Sequence, residues 1–150
     1  MPFKQVDISK KPVVYREATA TGRIRLKRST IALIKKGALE KGDPLSLAAT
    51  TAILAVKSTP AIVALAHPLK VEKTEPRVEI GEDWVQVTVK VAAHEKTGVE
   101  MEALTAVSVA LLNIWDVTKS SEKDSKGQYP TTRIESIKVT SKVKIADEAA

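Results

Sequence analysis

The stretch WVQVTVKVA, residues 84–92, decides the fold. Val85, Val87, Val89 and Val91 fall on one side of an extended chain, and Gln86, Thr88 and Lys90 on the other. Side chains alternate across a strand, so this pattern is a strand with one apolar and one polar face. Just upstream, residues 68–80 read as a second strand. Gly81-Glu82-Asp83 joins the two as an antiparallel hairpin. Further out, residues 13–26 also alternate. Val14, Ala18, Ala20, Ile24 and Leu26 share a phase with Gly22 and with Arg16, a charge on the apolar side. Near the other end, Ile137, Val139, Ser141, Val143 and Ile145 alternate with Lys138, Thr140, Lys142 and Lys144. That is a last strand with one lysine-rich face.

Helical patterns fill the gaps. Residues 29–36 form a short helix with Ile31, Leu33 and Ile34 inward and Gly37 as its C-cap. Asp43 and Pro44 start a second helix, one as N-cap acceptor and the other at the first helical position. It runs through SLAATTAILAVKS and is expected to end before Pro60, with a further turn of helix around residues 61–64. Residues 99–119 form a long helix that is apolar nearly all round, hence buried on most sides. Its Ala103, Ala106, Ser108 and Ala110 let neighbours approach closely. Residues 120–130, SSEKDSKGQYP, read as an exposed loop. A single domain over residues 1–150 is expected, with 1–12 and 146–150 as loose termini. The order strand, helices, strand, strand, helix, strand predicts an α+β, ferredoxin-like fold: an antiparallel sheet with helices packed on one face. One sheet face cannot cover the last helix, so a homo-oligomer is expected.

Composition narrows the function. The 150 residues are 43% hydrophobic and 28% charged, as in soluble globular proteins, and contain no cysteine. A disulfide framework, a thiolate nucleophile and a zinc knuckle are thereby excluded. The N-terminal stretch has no apolar run of signal-peptide length, and no segment reads as a comfortable bilayer span, so a cytoplasmic protein without membrane partners is expected. The net charge of +6 points to an anionic partner. Aromatics are only 3%, which argues against nucleic acid, because single-strand binders stack bases on aromatic platforms.

Several familiar sites are absent. No GxxxxGK[ST] loop and no GxGxxG occurs, and Ala55-Val56-Lys57-Ser58-Thr59 has only the tail of a phosphate loop. His94-Glu95 begins like HExxH, but Gly98 stands where the second ligand belongs, so no metal site is expected. Four other segments carry chemistry: Lys41-Gly42-Asp43, the segment containing Lys57, Ala66-His67-Pro68-Leu69, and TGVEMEALT (97–105) continuing to Asp116-Val117-Thr118-Lys119. Taken singly, each reads as a turn, a cap or a surface pair.

As an ordered set they resemble the signature of the molybdenum cofactor biosynthesis protein C family. TGVEMEALTAVSVALL followed by DxxK carries the resemblance. REATATGRIRL, the KGD turn, AxKxT and HPL follow in the family's order and spacing over roughly residues 6–144. LAHPL stands where the family usually has LCHPL, so a cysteine there is not essential. Strand phase and spacing set Lys142 at the position of the family's C-terminal lysine.

The resemblance implies a lyase, a cyclic pyranopterin monophosphate synthase. Its substrate would be a purine-derived triphosphate, 3′,8-cyclo-7,8-dihydro-GTP, made by a radical SAM GTP cyclase, and pyrophosphate would be released. It also implies a hexamer built as a trimer of dimers with interfacial sites. No cofactor is expected, and magnesium with the triphosphate is not predicted from the sequence. The implied catalytic residues are Lys41, Asp116, Lys119 and Lys142. The implied substrate-binding residues are Arg16, Lys57, His67, Glu100, Met101 and Glu102. The residue types suit the chemistry. Lysines supply point charges to phosphate oxygens. Ring opening and closure need proton donors and acceptors, which lysines, carboxylates and a histidine supply. Fourteen positions separate Glu102 from Asp116, about 21 Å along one helix, so a small-molecule site that uses both ends spans two subunits. The readings left open are a non-catalytic nucleotide- or phosphate-binding member of the family and a nucleic-acid-binding ferredoxin-like domain.

Overall fold

The computed structural model describes residues 2–146. The expected loose terminus at 146–150 lies, apart from Ala146, outside the described residues. In chain order the elements are β1 (Val14–Arg25), α1 (Arg28–Lys36), α2 (Pro44–Ile62), β2 (Lys73–Ile80), β3 (Trp84–Glu95), α3 (Glu100–Glu122) and β4 (Arg133–Ile145). The four strands form one sheet in the order β2-β3-β1-β4, with every neighbouring pair antiparallel. This is the ferredoxin-like α+β arrangement that the order of patterns predicts.

The core lies between the sheet and α2 and α3. Val85, Val87, Val89 and Val91 of β3 are fully buried, as are Ala20 and Ile24 of β1. Small residues line the two helices where they meet: Ala48, Ala52 and Ala55 on α2, and Ala103, Ala106 and Ala110 on α3. With no branched side chain at these positions, the two backbones approach closely. Both helices are long and apolar enough to cross a membrane. They lie instead against the sheet and against each other, and α3 buries one side along its whole length.

Four local readings are corrected. The second helix does not stop before Pro60 but runs through it to Ile62. Proline removes one N–H and keeps a helical φ, so a last turn survives, and Val63 N–H still reaches the Thr59 carbonyl at 2.8 Å. β2 begins at Lys73, not at 68: ahead of it only Glu72 N–H reaches the β3 backbone, at the Ala92 carbonyl at 3.0 Å, and Lys70 N–H donates instead to the Glu95 side chain, at Oε1 at 2.8 Å. Pro76 is tolerated because β2 is an edge strand. The long helix does not end at 119. It continues to Glu122, whose carboxylate has buried partners, so the loop begins later than the polar run at 120–130 suggests.

The fourth correction concerns β4. Its lysines do not share one face. Ser141 pairs with Thr19 and Val139 with Ala20, so Thr140 is an extra residue, and a second irregularity lies opposite Gly22. A bulge shifts the phase of every side chain beyond it. Lys138 therefore stands opposite Thr21 on the outer face. Lys142 stands opposite Ala18 and Lys144 opposite Arg16, on the side that faces the helices.

At Gly22, β1 lies close against both β4 and α3. A Cβ there would lie 2.9 Å from both Ile137 Cγ1 and Val107 Cγ1 and 3.0 Å from Leu111 Cδ1. Three packed side chains on two elements cannot all withdraw. Gly22→Ala is therefore expected to cost about 1–3 kcal/mol by overpacking. The check is urea unfolding: the midpoint should fall with an unchanged slope.

Candidate functional site

The KGD segment does two jobs at once. Asp43 caps α2, accepting from Leu45 N–H at 3.0 Å, from Ser46 N–H at 3.3 Å and from the Ser46 hydroxyl at 2.6 Å. These bonds, that from the Ser46 side chain first, hold its carboxyl below the ordinary value. Gly42 sits at φ 107, a conformation that a Cβ disfavours, and turns the chain away from the cap. The turn leaves Lys41 facing α3. Lys41 Nζ is 3.1 Å from Asp116 Oδ2, and Lys119 Nζ is 3.2 Å from Asp116 Oδ1. One carboxylate is thus held between two ammonium groups, with Lys41 and then Lys119 lowering its pKa. All three side chains are about half exposed, beside an open apolar patch of Leu112, Trp115 and Ile134.

A second cluster surrounds the start of α3. A cleft of about 300 Å³ is lined by Leu65, His67, Gly98, Glu100, Met101 and Glu102. Glu100 Oε1 is 2.9 Å from Lys142 Nζ. Burial acts to raise the Glu100 carboxyl, but Lys142, the backbone N–H at the helix start and Arg16 together take it below its ordinary value. Arg16 is 5% exposed. Its Nη2 donates to the Lys96 carbonyl at 3.3 Å, and its Nε has no partner among the described residues. Among the described residues no carboxylate bonds it, and Glu17 pairs instead with Lys90. A guanidinium with an unused donor near a helix N-terminus and two lysines is suited to an anion.

The N-terminal arm borders this cleft. Gln5 Nε2 donates to the Ala66 carbonyl at 3.2 Å, and Lys96 Nζ to the Ser9 carbonyl at 3.1 Å. His67 Nε2 donates to the Val6 carbonyl at 2.7 Å. Met101 is 41% exposed, so it is available to a ligand and is not a core residue.

Lys57 joins neither cluster. It lines a separate groove with Ile53, Val56 and Glu72, adjoining the cleft only through Leu69, which lines both. Lys144, absent from the predicted site, shares the helix side of the sheet with Arg16 and Lys142. No sequence signal marks it, because its direction depends on the bulge at Thr140.

A model of the MoaC family matches residues 5–144. The chain belongs to the MoaC family. A Pyrococcus horikoshii protein is 54% identical over 141 residues, which cover 94% of this chain and 89% of that one. An Aeropyrum pernix protein is 52% identical over 139 residues, covering 93% and 95%. A Sulfurisphaera tokodaii protein is 50% identical over 145 residues, covering 97% and 96%. Each of the three is named a probable cyclic pyranopterin monophosphate synthase.

In this MoaC-family chain the two clusters occupy opposite ends of α3. Between Glu102 and Asp116 the helix rises about 21 Å. Lys41, Asp116 and Lys119 are brought together at one end. Arg16, His67, Glu100, Met101, Glu102 and Lys142 gather at the other. Among the described residues, no group of three His, Asp or Glu side chains is placed to hold a metal ion.

Glu102 is the costly member of the second cluster. It is 3% exposed, and burial, with Glu100 nearby, raises its carboxyl above the ordinary value. A raised carboxyl favours the folded state only while it is protonated. As pH climbs through 4.5, the unfolded chain ionises first and stability falls, until the folded-state pKa is passed. Glu102→Gln is expected to raise Tm at neutral pH and to leave it unchanged well below 4.5. Calorimetry at the two pH values, at one protein concentration, decides it: an equal shift at both would contradict the account.

Proposed function

We propose that this chain is a cyclic pyranopterin monophosphate synthase of molybdenum cofactor biosynthesis, a lyase that converts 3′,8-cyclo-7,8-dihydro-GTP to the cyclic monophosphate with release of pyrophosphate. Relatives at 50–54% identity that carry this name support the reading. The observation that carries it is the Asp116 carboxylate held between Lys41 and Lys119, an acid–base group in the open.

In this reading the two clusters divide the work. Arg16, Lys142, His67 and the start of α3 bind the triphosphate end, where the cationic donors meet phosphate oxygens. Lys144 adds charge there. Lys57 steers the anionic substrate from its own groove. Glu100 holds Lys142 in place, and Met101 and Glu102 contact the substrate. Lys41 and Lys119 exchange protons with the purine-derived ring as it opens and recloses, and Asp116 keeps both in position. No redox change is involved, and magnesium can accompany the triphosphate. The radical SAM enzyme that forms the cyclised nucleotide supplies the substrate.

The 21 Å rise of α3 exceeds the reach of one nucleotide, so each site takes its two clusters from different subunits. A hexamer arranged as a trimer of dimers satisfies this. The exposed Leu47, Leu54 and Ile62 on α2 are then covered by neighbours. The protein works in the cytoplasm, without nucleic acid or membrane.

The test is anaerobic turnover of the purified protein with the cyclised dihydro-GTP, following pyrophosphate and pterin product together. Stoichiometric appearance of both supports the synthase. Tight substrate binding without either product would mean a non-catalytic phosphate-binding member of the family.

A further inference from the structure

Glu122 is the most deeply buried carboxylate among the described residues, at 0% exposure, and nothing above uses it. It closes α3 one turn beyond Lys119. Its Oε2 accepts from Lys27 N–H at 3.0 Å and from the Thr30 hydroxyl, and its Oε1 accepts from the Thr132 hydroxyl at 2.7 Å. Lys27 is the N-cap of α1 and Thr30 its third residue. Lys27 offers no side-chain cap, and the first turn of α1 has no acid. In a capping box, a glutamate at that third position reaches back to the N-cap N–H. Here α3 supplies the glutamate from outside, and the negative charge also suits the positive end of the α1 dipole.

This bond ties α1 to the helix that bears Asp116 and Lys119. α1 buries only Thr30, Ile31 and Ile34, so little else holds it there. From α1 the chain passes Gly37 and within a few residues reaches Lys41, which returns to α3 at Asp116. Two polar clasps, Glu122 and Asp116, therefore close one loop of chain onto α3. We propose that Glu122 is a positioning residue, one that sets Lys41 against Asp116 by fixing α1 to the end of α3. The proposal rests on the synthase reading only for what the cluster does chemically.

The test is the carboxyl titration of Asp116, read by carbon-13 NMR, in the native protein, Glu122→Gln and Lys41→Met. The sign separates the alternatives. Removing a negative charge at Glu122 by itself would lower the Asp116 pKa. Releasing Lys41 would raise it, because Lys41 is the first cause of its depression. The expected result is an upward shift in Glu122→Gln that approaches the shift in Lys41→Met, and no added shift in the double variant. A downward or null shift in folded Glu122→Gln overturns the proposal. Should that variant not fold, Thr30→Val removes one of the two α1 donors and leaves the carboxylate Lys27 N–H and Thr132; a smaller upward shift is expected, and none would overturn the proposal. Turnover of Glu122→Gln should show a reduced kcat with an unchanged KM, since the phosphate-binding cluster at the far end is untouched. The titration decides the positioning role even if the native protein proves to have no turnover.

Discussion

Replacing Lys41 or Lys119 by alanine is expected to lower kcat by about 10²–10⁴-fold, the usual size of a lost general acid–base group. KM should change little, because in the proposed division of work the triphosphate is bound by the cationic groups at the other end of α3. The fold should survive, since both side chains are about half exposed and neither is a cap or a core residue. Loss of Lys41 removes the first cause of the depressed Asp116 pKa, so that carboxylate should protonate at higher pH in the variant. The same pairing makes the native cluster fail in acid. A depressed carboxyl gives up its ion pairs only as pH falls below 3.8 toward its folded pKa.

The Lys119→Ala result gains force when it is combined with a defect at the other cluster. Glu100→Ala should also be inactive, because Lys142 loses its carboxylate anchor at 2.9 Å. If each site joins the Lys119 end of one subunit to the Glu100 end of another, mixed oligomers of the two inactive proteins contain some sites with both ends intact. Random pairing restores up to about a quarter of the native activity, given two-fold interfaces. Each variant is unfolded and refolded alone and in the mixture. Activity that returns only in the mixture supports the shared site. No return from properly assembled hybrids would overturn the shared site.

Glu122→Ala is expected to be the most destabilising single change at a polar residue, by about 3 kcal/mol or more. Each buried donor left without an acceptor costs about 1–3 kcal/mol, and three donors share this carboxylate. Two of them, the Thr30 and Thr132 hydroxyls, belong to residues at 0% and 6% exposure, where water gives little relief. The loss also uncaps α1. Urea unfolding at fixed protein concentration measures it, because assembly would otherwise shift the apparent stability. Thr132→Val, which removes a single donor and fills its space, should cost much less. A Glu122→Ala midpoint close to native would mean that solvent reaches the cavity.

The sheet and the site lay open in the sequence to different depths. The valines of β3 and the small residues of β1 have an unbroken period of two, and burial enforces that period, so strand, face and partner were legible. Asp43-Pro44 and Gly37 marked helix ends, because capping is local chemistry within a few residues. The residues of both clusters were legible only as an ordered resemblance, each being ordinary by itself. Pro60 misled, since a proline near a helix end costs one hydrogen bond and not the whole turn.

What the sequence by itself determined is the ferredoxin-like order of elements, the MoaC family and the separation of Glu102 from Asp116 along α3. The order and the separation follow from periodicity, local caps and chain length, and the family from the ordered resemblance of its motifs. What only the tertiary structure decided is which groups meet. Lys142 reaches Glu100 because an extra residue at Thr140 turns the end of β4 toward the helices. Glu122, read from its polar neighbours as part of an exposed loop, is buried because α1 brings its own unpaired N-terminus to it. Both outcomes depend on register and on donors distant in sequence, and a local pattern of polarity carries no record of either.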